Sequence, residues 1–351
     1  MRNNLLSDGE LLSSDGNLNE AGYAFSLIKK YNKENIKVSK LKIKEWDYYY
    51  IGDKEYGIAL TIDDNGYMGL VSFSILDFKN KEYKNFSSMY PFPKGNVNLP
   101  LTSKEGISKK DTKNASFKFE VKDGIRTLTC KMLTKEKREF ECKFVLHETT
   151  PNSMVIATPF LKKKHFYYNQ KINLLNGEGY FKYGYIEHKF NNVYGVLDWG
   201  RGVWTYKNTW YWSSLSYEDE NHNRIGFNLG YGFGDTSKAS ENMLFVNKNA
   251  YKFDDCVFDI LKDKNNKEIY LNNWKIYSNN KDIDLEFTPL IDRHDKADVL
   301  IIAQDAHQVF GLFNGKFKTN DGEIIIKDAL GFAENRLQQV WWTLCQATTG
   351  E

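Results

Sequence analysis

Proline is scarce: the 351-residue chain has six, and Pro91, Pro93, Pro100 and Pro151 lie in or beside loop-like stretches. Long strand ladders elsewhere therefore lose no N–H donors. No apolar run approaches the roughly 20 residues that span a bilayer, so a membrane span is not expected. The start, MRNNLLSDGELLSSDG, is polar and turn-rich, unlike a secretory leader with its apolar core. Net charge is nearly absent, since 48 basic and 46 acidic side chains leave +2, and nucleic acid is not an implied partner. The one local basic run, Lys162 to Lys164, reads as a solvated turn rather than a phosphate or membrane contact. Four cysteines, Cys130, Cys142, Cys256 and Cys345, show neither CxxC nor zinc-ligand spacing, which fits a reduced, cytoplasmic setting. Spacing assembles no Ser-His-Asp, zinc or two-metal constellation, and no metal or cofactor is expected. Oligomeric state is left open.

Helical periodicity over more than ten residues is also missing, apart from a short possible helix at 20–31 within an extended arm, residues 1–38. What the chain has instead is aromatics, 15% of residues, chiefly 22 Tyr and 23 Phe, which favour sheet. From Lys40 onward short runs of Tyr, Ile, Val, Phe and Thr alternate with turn residues about every ten positions. KLKIKEWDYYYI and KEYGIALTI flank GD, and SFKFEV and IRTLTCKML flank KDG; both read as hairpins. The pattern predicts an all-β chain of two antiparallel barrels or curled sheets in tandem, closure hiding the edges. The first lobe is placed at 39–195 and the second at 196–351, with 197–214 at their junction. The longest interruption, 87–114, reads as a lid or crossing loop, or else as a mobile excursion with no role.

That junction, LDWGRGVWTYKNTWYWSS, holds four of the eight tryptophans, Trp199, Trp204, Trp210 and Trp212, around Asp198 and Arg201. If the segment is extended, Asp198, Trp204, Trp210 and Trp212 share a parity, which a bulge would reverse. The returning strand RIGFNLGYGFGD sets Gly226, Asn228, Gly230 and Gly232 on one face. A face of Gly and Asn opposite indoles leaves room for a ligand; alternatively the tryptophans plug a core, Asp198 caps a turn and Arg201 pairs a nearby acid. GYGFGD is not G-x-G-x-x-G and no helix follows, so a dinucleotide loop is excluded. Among other candidates, His165 reads as an exposed strand-end histidine. His307 is either a buried, hydrogen-bonded histidine or a lumen donor. Glu241 and Glu334 border apolar runs, where either can pair Arg201 or Arg336.

KEWDYYYI, HFYYNQKINLLNGEGYF, YGVLDWGRGVWTYKNTWYWSS, IGFNLGYGFGD, SENMLFV and DGEIIIKDALGFAEN together resemble the bacterial domain-of-unknown-function 2804 family, with DWGRG the most specific part. More distantly, the chain is similar to carotenoid hydratases of the hydroxyneurosporene synthase type and to lipocalin-like cyclases and Diels-Alder enzymes. These are tandem β-barrel lobes carrying Tyr-Tyr-Ser, a hairpin, Trp-x-Asp-x-x-Trp-Gly and a Trp-x-Trp strand. FYYNQ, LLNGEGYF, LDWGRG and TWYW follow here in that order, with Asn169 in place of the serine, Leu197 immediately before Asp198, and no counterpart for Arg201.

The resemblance implies lipocalin-like lobes acting on, or binding, a small and partly apolar molecule. Protonating an alkene or opening a C–O bond creates cationic character, which an indole face stabilises by about 0.5–2 kcal/mol per contact. A carboxyl in apolar surroundings can stay protonated. Asp198 is then the candidate acid of a hydratase, isomerase or lyase. Tyr168, Trp199, Trp204, Trp210 and Trp212 shape the lumen, Asn228 orients the ligand, and Glu241 and His307 complete the lining. Arg201 holds an anionic end of the ligand or fixes Asp198; direct contact would keep the carboxylate charged and end its acid role. A non-catalytic carrier and a carbohydrate-active enzyme with a second carboxylate from Glu241, Glu334 or Asp47 remain alternatives.

Overall fold

The computed structural model describes residues 3–205, 207–299 and 302–340. The arm holds three short strands, β1 (Gly9–Glu10), β2 (Gly22–Ala24) and β3 (Lys29–Lys30). The helix expected at 20–31 does not form. Gly22, Tyr23, Phe25 and Ser26 are poor helix formers, and β2 instead pairs with a strand of the first lobe.

That lobe comprises β4 (Ile43–Gly52), β5 (Tyr56–Asp64), β6 (Met68–Asp77), β7 (Glu82–Pro91), β8 (Gly106–Asp111), β9 (Ala115–Lys122), β10 (Ile125–Leu133), β11 (Glu139–Glu148), β12 (Met154–Pro159), β13 (Phe166–Tyr183) and β14 (Ile186–Val203). They run in the order β7-β6-β5-β4-β14-β13-β11-β10-β9-β8, with β12 and β2 attached beside β13. The second sheet holds β15 (Lys207–Glu218), β16 (Arg224–Tyr231), β17 (Met243–Val246), β18 (Asn249–Lys252), β19 (Val257–Asp259), β20 (Trp274–Tyr277), β21 (Ile283–Val299), β22 (Ile302–Thr319) and β23 (Gly322–Val340), ordered β18-β17-β16-β15-β23-β22-β21-β20-β19. Each sheet curls into a half-barrel, and the two are lipocalin-like lobes in tandem. The chain leaves the first sheet at Val203 and enters the second at Lys207.

The inside of the first half-barrel is solid. Phe73 stacks on Phe140 at 3.6 Å, and Phe117, Phe119 and Phe144 are fully buried beside them. Segment 87–114 contains the end of β7 and all of β8. Between them its backbone is tied inward: Pro100 accepts from Arg201 at 2.9 Å, and Ser103 bonds Gln170 and Arg126. The second half-barrel closes around Phe227, Trp274, Phe287 and Phe313. Cys130, Cys142 and Cys256 are buried free thiols, Cys130 lying directly opposite Cys142 in the β10/β11 ladder. Cys345 lies outside the described residues.

What holds one lobe to the other begins at a bulge. The β13/β14 register slips between Ile172 and Leu175, and Leu174 takes a left-handed backbone, φ 59°, costly for a leucine. The slip turns Asn173 out of its own sheet. Its buried amide donates to Ser214 Oγ at 2.8 Å, to the Leu215 carbonyl at 2.9 Å and to the Phe227 carbonyl at 3.0 Å, all in the second lobe. Replacing Asn173 by leucine removes this donor, at about 1–3 kcal/mol for an acceptor left unpaired, although the Phe227 carbonyl still accepts from the Ser214 hydroxyl at 3.0 Å. Urea denaturation of Asn173→Leu is expected to show at least that loss of stability, and to separate one transition into two.

Candidate functional site

The facing surfaces of the two sheets meet in a seam that reads as three layers along the strands. Side chains two residues apart share a face and stand about 6.7 Å apart. On β4 the row is Trp46, Tyr48, Tyr50; on β14 it is Gly200, Asp198, Val196, since Asp198 lies opposite Tyr48 and Gly200 opposite Trp46. On β13, Asn169 lies opposite Gly200 and Lys171 opposite Asp198. Across the seam the rows are Trp210, Trp212, Ser214 on β15 and Arg336, Glu334, Phe332 on β23, with Gln308 and Phe310 on β22.

The first layer is aromatic. Trp204 packs edge-on against Trp46 at 5.1 Å, Trp210 at 6.1 Å and Phe233 at 4.7 Å, and Trp46 stacks on Tyr167 at 6.0 Å. Of the glycines expected to leave room for a ligand, Gly226 is covered by the other lobe, where a Cβ would meet the Asn173 and Leu174 side chains at 3.1–3.2 Å; on β14 a Cβ at Gly200 would lie 1.9 Å from the Trp46 indole. The indole therefore rests on the bare backbone.

The middle layer carries the charge. Lys171 Nζ meets Asp198 Oδ2 at 2.9 Å and sits 3.7 Å from the centre of the Trp212 ring. Asn169 Nδ2 donates to Asp198 Oδ1 at 2.6 Å and to the Trp199 carbonyl at 2.9 Å. Trp212 donates its indole N–H to Asn228 Oδ1 at 2.7 Å, and Asn228 donates to the Glu241 carbonyl at 2.9 Å. Glu241 is buried, and that burial raises its carboxyl above the ordinary glutamate range, partly offset by the nearby Lys171 and reinforced by Asp198. A second chain crosses the seam: Tyr48 donates to Gln308 Oε1 at 3.1 Å, and Gln308 and Trp210 each donate to Glu334, at 3.0 and 3.1 Å. Burial pushes the Tyr48 hydroxyl up to about 12, so it remains a donor at neutral pH.

The third layer opens into a cavity of about 560 Å³ between the lobes, with Tyr50, Val196, Leu215, Ser216, Leu330 and Phe332 among its walls. Three of these, Tyr50, Val196 and Phe332, continue the rows of Tyr48, Asp198 and Glu334. Its walls include none of the four junction tryptophans.

The structure thus brings Asp198, Trp204, Trp210, Trp212, Asn228 and Glu241 into one seam, with Glu334 beside them. It does not bring Arg201, Trp199, Tyr168 or His307 there. Arg201 and Trp199 have the opposite parity on β14 and enter the first half-barrel. Arg201 donates to the carbonyls of Trp46, Gly200 and Pro100 at 2.7–2.9 Å and to Asp47 Oδ1 at 3.0 Å, with its guanidinium 4.3 Å from the Trp199 ring centre. Glu45 stands 3.8 Å away. Arg201 and Asp198 therefore face opposite ways, and the cation on Asp198 is Lys171. Tyr168 is a core ring whose hydroxyl donates to the Lys29 carbonyl at 3.0 Å. His307 faces away from Gln308, outside the seam. His165 is 5% exposed rather than solvated, since Phe160 and Lys162 fold its turn back on itself. The sequence reading missed Lys171 as a site residue. The signal was there: in FYYNQKINLL the alternate positions Tyr167, Asn169, Lys171 and Asn173 place a polar row on one face, while the other face is apolar except for Gln170.

The fold and this seam define a two-lobed lipocalin-like protein with a polar cluster and a cavity between its lobes. The chain belongs to the family described as domain of unknown function (DUF2804), whose model matches residues 2–341. Among solved structures it is similar to kievitone hydratase from Nectria haematococca, with TM-score 0.50 and 11% identity, covering 86% of this chain and 90% of that one. It is also similar to a putative AttH from Nitrosomonas europaea, with TM-score 0.45 and 10% identity, covering 84% and 92%. The first likeness shows a shared fold; the second carries no argument. No curated protein matches the chain in sequence. No helix among the described residues is long and apolar enough to cross a membrane.

Two outcomes follow from the middle layer. Lys171→Met leaves Asp198 buried without its cation and is expected to destabilise the fold by about 3–5 kcal/mol; the double variant Lys171→Met/Asp198→Leu should recover much of that in the same denaturation assay. Glu241, with its folded-state pKa raised, binds more protons folded than unfolded between the ordinary glutamate pKa and the raised one. Wild-type stability should therefore decline as pH rises through that window, and Glu241→Gln should flatten the decline in melts taken at successive pH values.

Proposed function

We propose that this protein takes a small, partly apolar molecule into the inter-lobe cavity and carries out proton-transfer chemistry of the hydration, isomerisation or lyase class at the Lys171–Asp198–Glu241 cluster. The observation that carries the reading is the continuity of three rows: the cavity walls Tyr50, Val196 and Phe332 are the next same-face residues after Tyr48, Asp198 and Glu334. A ligand that fills the cavity needs to advance by one strand repeat to reach the charged layer. The rings it must displace, Tyr50, Phe310 and Phe332, touch one another at 5.2–5.6 Å.

In this reading the acid is Glu241, whose burial raises its carboxyl above the ordinary glutamate range and so favours the protonated form. Asp198, paired to Lys171 and held by Asn169, is an acceptor. Glu241 would deliver its proton to one alkene carbon. Water adds to the other carbon and gives its own proton to Asp198; the reverse sequence eliminates water. The Trp212 face, already holding the Lys171 ammonium, suits the cationic character that develops between the two steps. The fold shared with a hydratase supports this class of reaction.

Mass spectrometry of small molecules retained through purification is the first test, and should find a partly apolar ligand at near-stoichiometric occupancy. Leu330→Trp, at a half-buried cavity wall, should expel it while leaving the melting temperature within a few degrees. With the ligand identified, Glu241→Gln and Asp198→Asn should each cut turnover at least 100-fold while retaining binding. Binding without turnover in the wild type would make the protein a carrier, and an empty cavity with no effect of Leu330→Trp on any ligand would remove the reading altogether.

A further inference from the structure

On the face of β22 opposite Gln308, two histidines and two aspartates gather where β21 and β22 pair. His294 and His307 are direct cross-strand partners, and Asp305 and Asp292 each stand two residues from one of them on the same face. His294 Nε2 lies 2.7 Å from Asp305 Oδ1, and His307 Nε2 lies 3.4 Å from the same oxygen. On its other side His307 Nδ1 lies 2.8 Å from Asp292 Oδ2. The imidazoles stack at 3.9 Å and 8°, and Tyr270 stacks on the outer face of His307 at 3.8 Å.

Proton counting shows what this cluster lacks. A neutral imidazole has one N–H and one lone pair. If His307 gives its N–H to Asp292, its Nε2 lone pair faces a carboxylate oxygen that already accepts from His294. Without a further cation, all three contacts are made only if His307 carries a proton on both ring nitrogens, as a charged ring stacked flat on the neighbouring imidazole. Asp292 Oδ1 is moreover buried with no hydrogen-bond partner among the described residues. A divalent cation between the three converging atoms resolves the conflict: it takes a lone pair from each Nε2 and the charge of Asp305. The ligand atoms already lie within 4.8 Å of one another.

We propose that His294, His307 and Asp305 form a binding site for a divalent transition-metal ion of the zinc type, with Asp292 as the positioning residue that fixes the His307 tautomer. Two imidazoles and a carboxylate suit Zn²⁺ and its first-row neighbours better than Ca²⁺ or Mg²⁺. A carboxylate on the remote nitrogen of a ligating histidine is the usual orienting partner. Tyr270 and His294 hold the ring from both faces, and His294, more than a third exposed, leaves an approach from solvent. Three protein ligands leave a fourth position for water or another donor. Lys296, exposed and opposite Asp305 in the ladder, is the cation that competes for that carboxylate. Glu268, bonded to Tyr270 and Asn335, adds negative charge beside the site. Sequence spacing gave no hint of the set, because its members come together only through strand register.

The test is titration of tag-free, chelator-washed full-length protein with Zn²⁺, followed by calorimetry and by the histidine ring ¹H–¹⁵N signals. One ion per chain should bind, shifting two of the six histidine spin systems. Mg²⁺ should not compete for the site. His294→Gln should weaken binding at least 100-fold, Asp292→Asn about 10- to 100-fold, and His222→Gln, at an exposed histidine elsewhere, not at all. The ring signals serve in place of any variant that fails to fold. Binding no tighter in the wild type than in His294→Gln/His307→Gln, or shifts confined to other histidines, would overturn the proposal.

Discussion

The constraint that organises this molecule is a charge buried between two sheets. Lys171 and Asp198 lie on adjacent strands of the first lobe, but their environment is completed by the second, where Trp212 covers the ammonium. A buried ion pair is rarely the most stable content for an interior. Here it fixes how the lobes face each other, because sliding one sheet along the other would carry the Lys171 ammonium off the Trp212 ring. The Asn173 clasp and the Tyr48–Gln308–Glu334 chain enforce the same register from either side.

The lobe interiors and the seam divide the work differently from a typical ligand-carrying barrel. Among the described residues, phenylalanine and other apolar side chains fill the interior of each half-barrel. The cavity of about 560 Å³ lies where the two curved surfaces meet, and polar residues line that meeting. The parity of one strand decides which group does what. On β14, Trp199 and Arg201 point into the packed interior and rigidify it, while Asp198 and Gly200, alternating with them, face the partner lobe.

Much of the fold was legible in the sequence. The hairpins at 43–64 and 115–133, the all-β class and the tandem lobes followed from period-two alternation and turn chemistry, and the extended stretch at 207–218 from the Trp-x-Trp pattern. The arm was misread because its strand depends on a partner more than 100 residues away, and local propensity cannot report that. The seam was half legible. Asp198, Trp210 and Trp212 were singled out because acids among indoles are conspicuous. Lys171 was passed over because a lysine in a strand ordinarily faces water. Arg201 was drawn to Asp198 by closeness in sequence, although three residues along a strand is the opposite face. His294, Asp305 and Asp292 were invisible for a related reason: 12 residues of hairpin lie between His294 and His307, and only the ladder makes them neighbours.

The strand order of the first sheet also bears on how the chain is made. The meander β4 to β7 and the run from β8 to β13 share no ladder with each other; their ladders are linked through β14, which lies between β4 and β13. Until residue 203 has left the ribosome, both units present a long open edge, with the ion pair's lysine already in place and its aspartate still unmade. Nascent chains of this protein are thus sticky by construction, and a chaperone that shields strand edges would be needed most in the interval just before the junction tryptophans emerge.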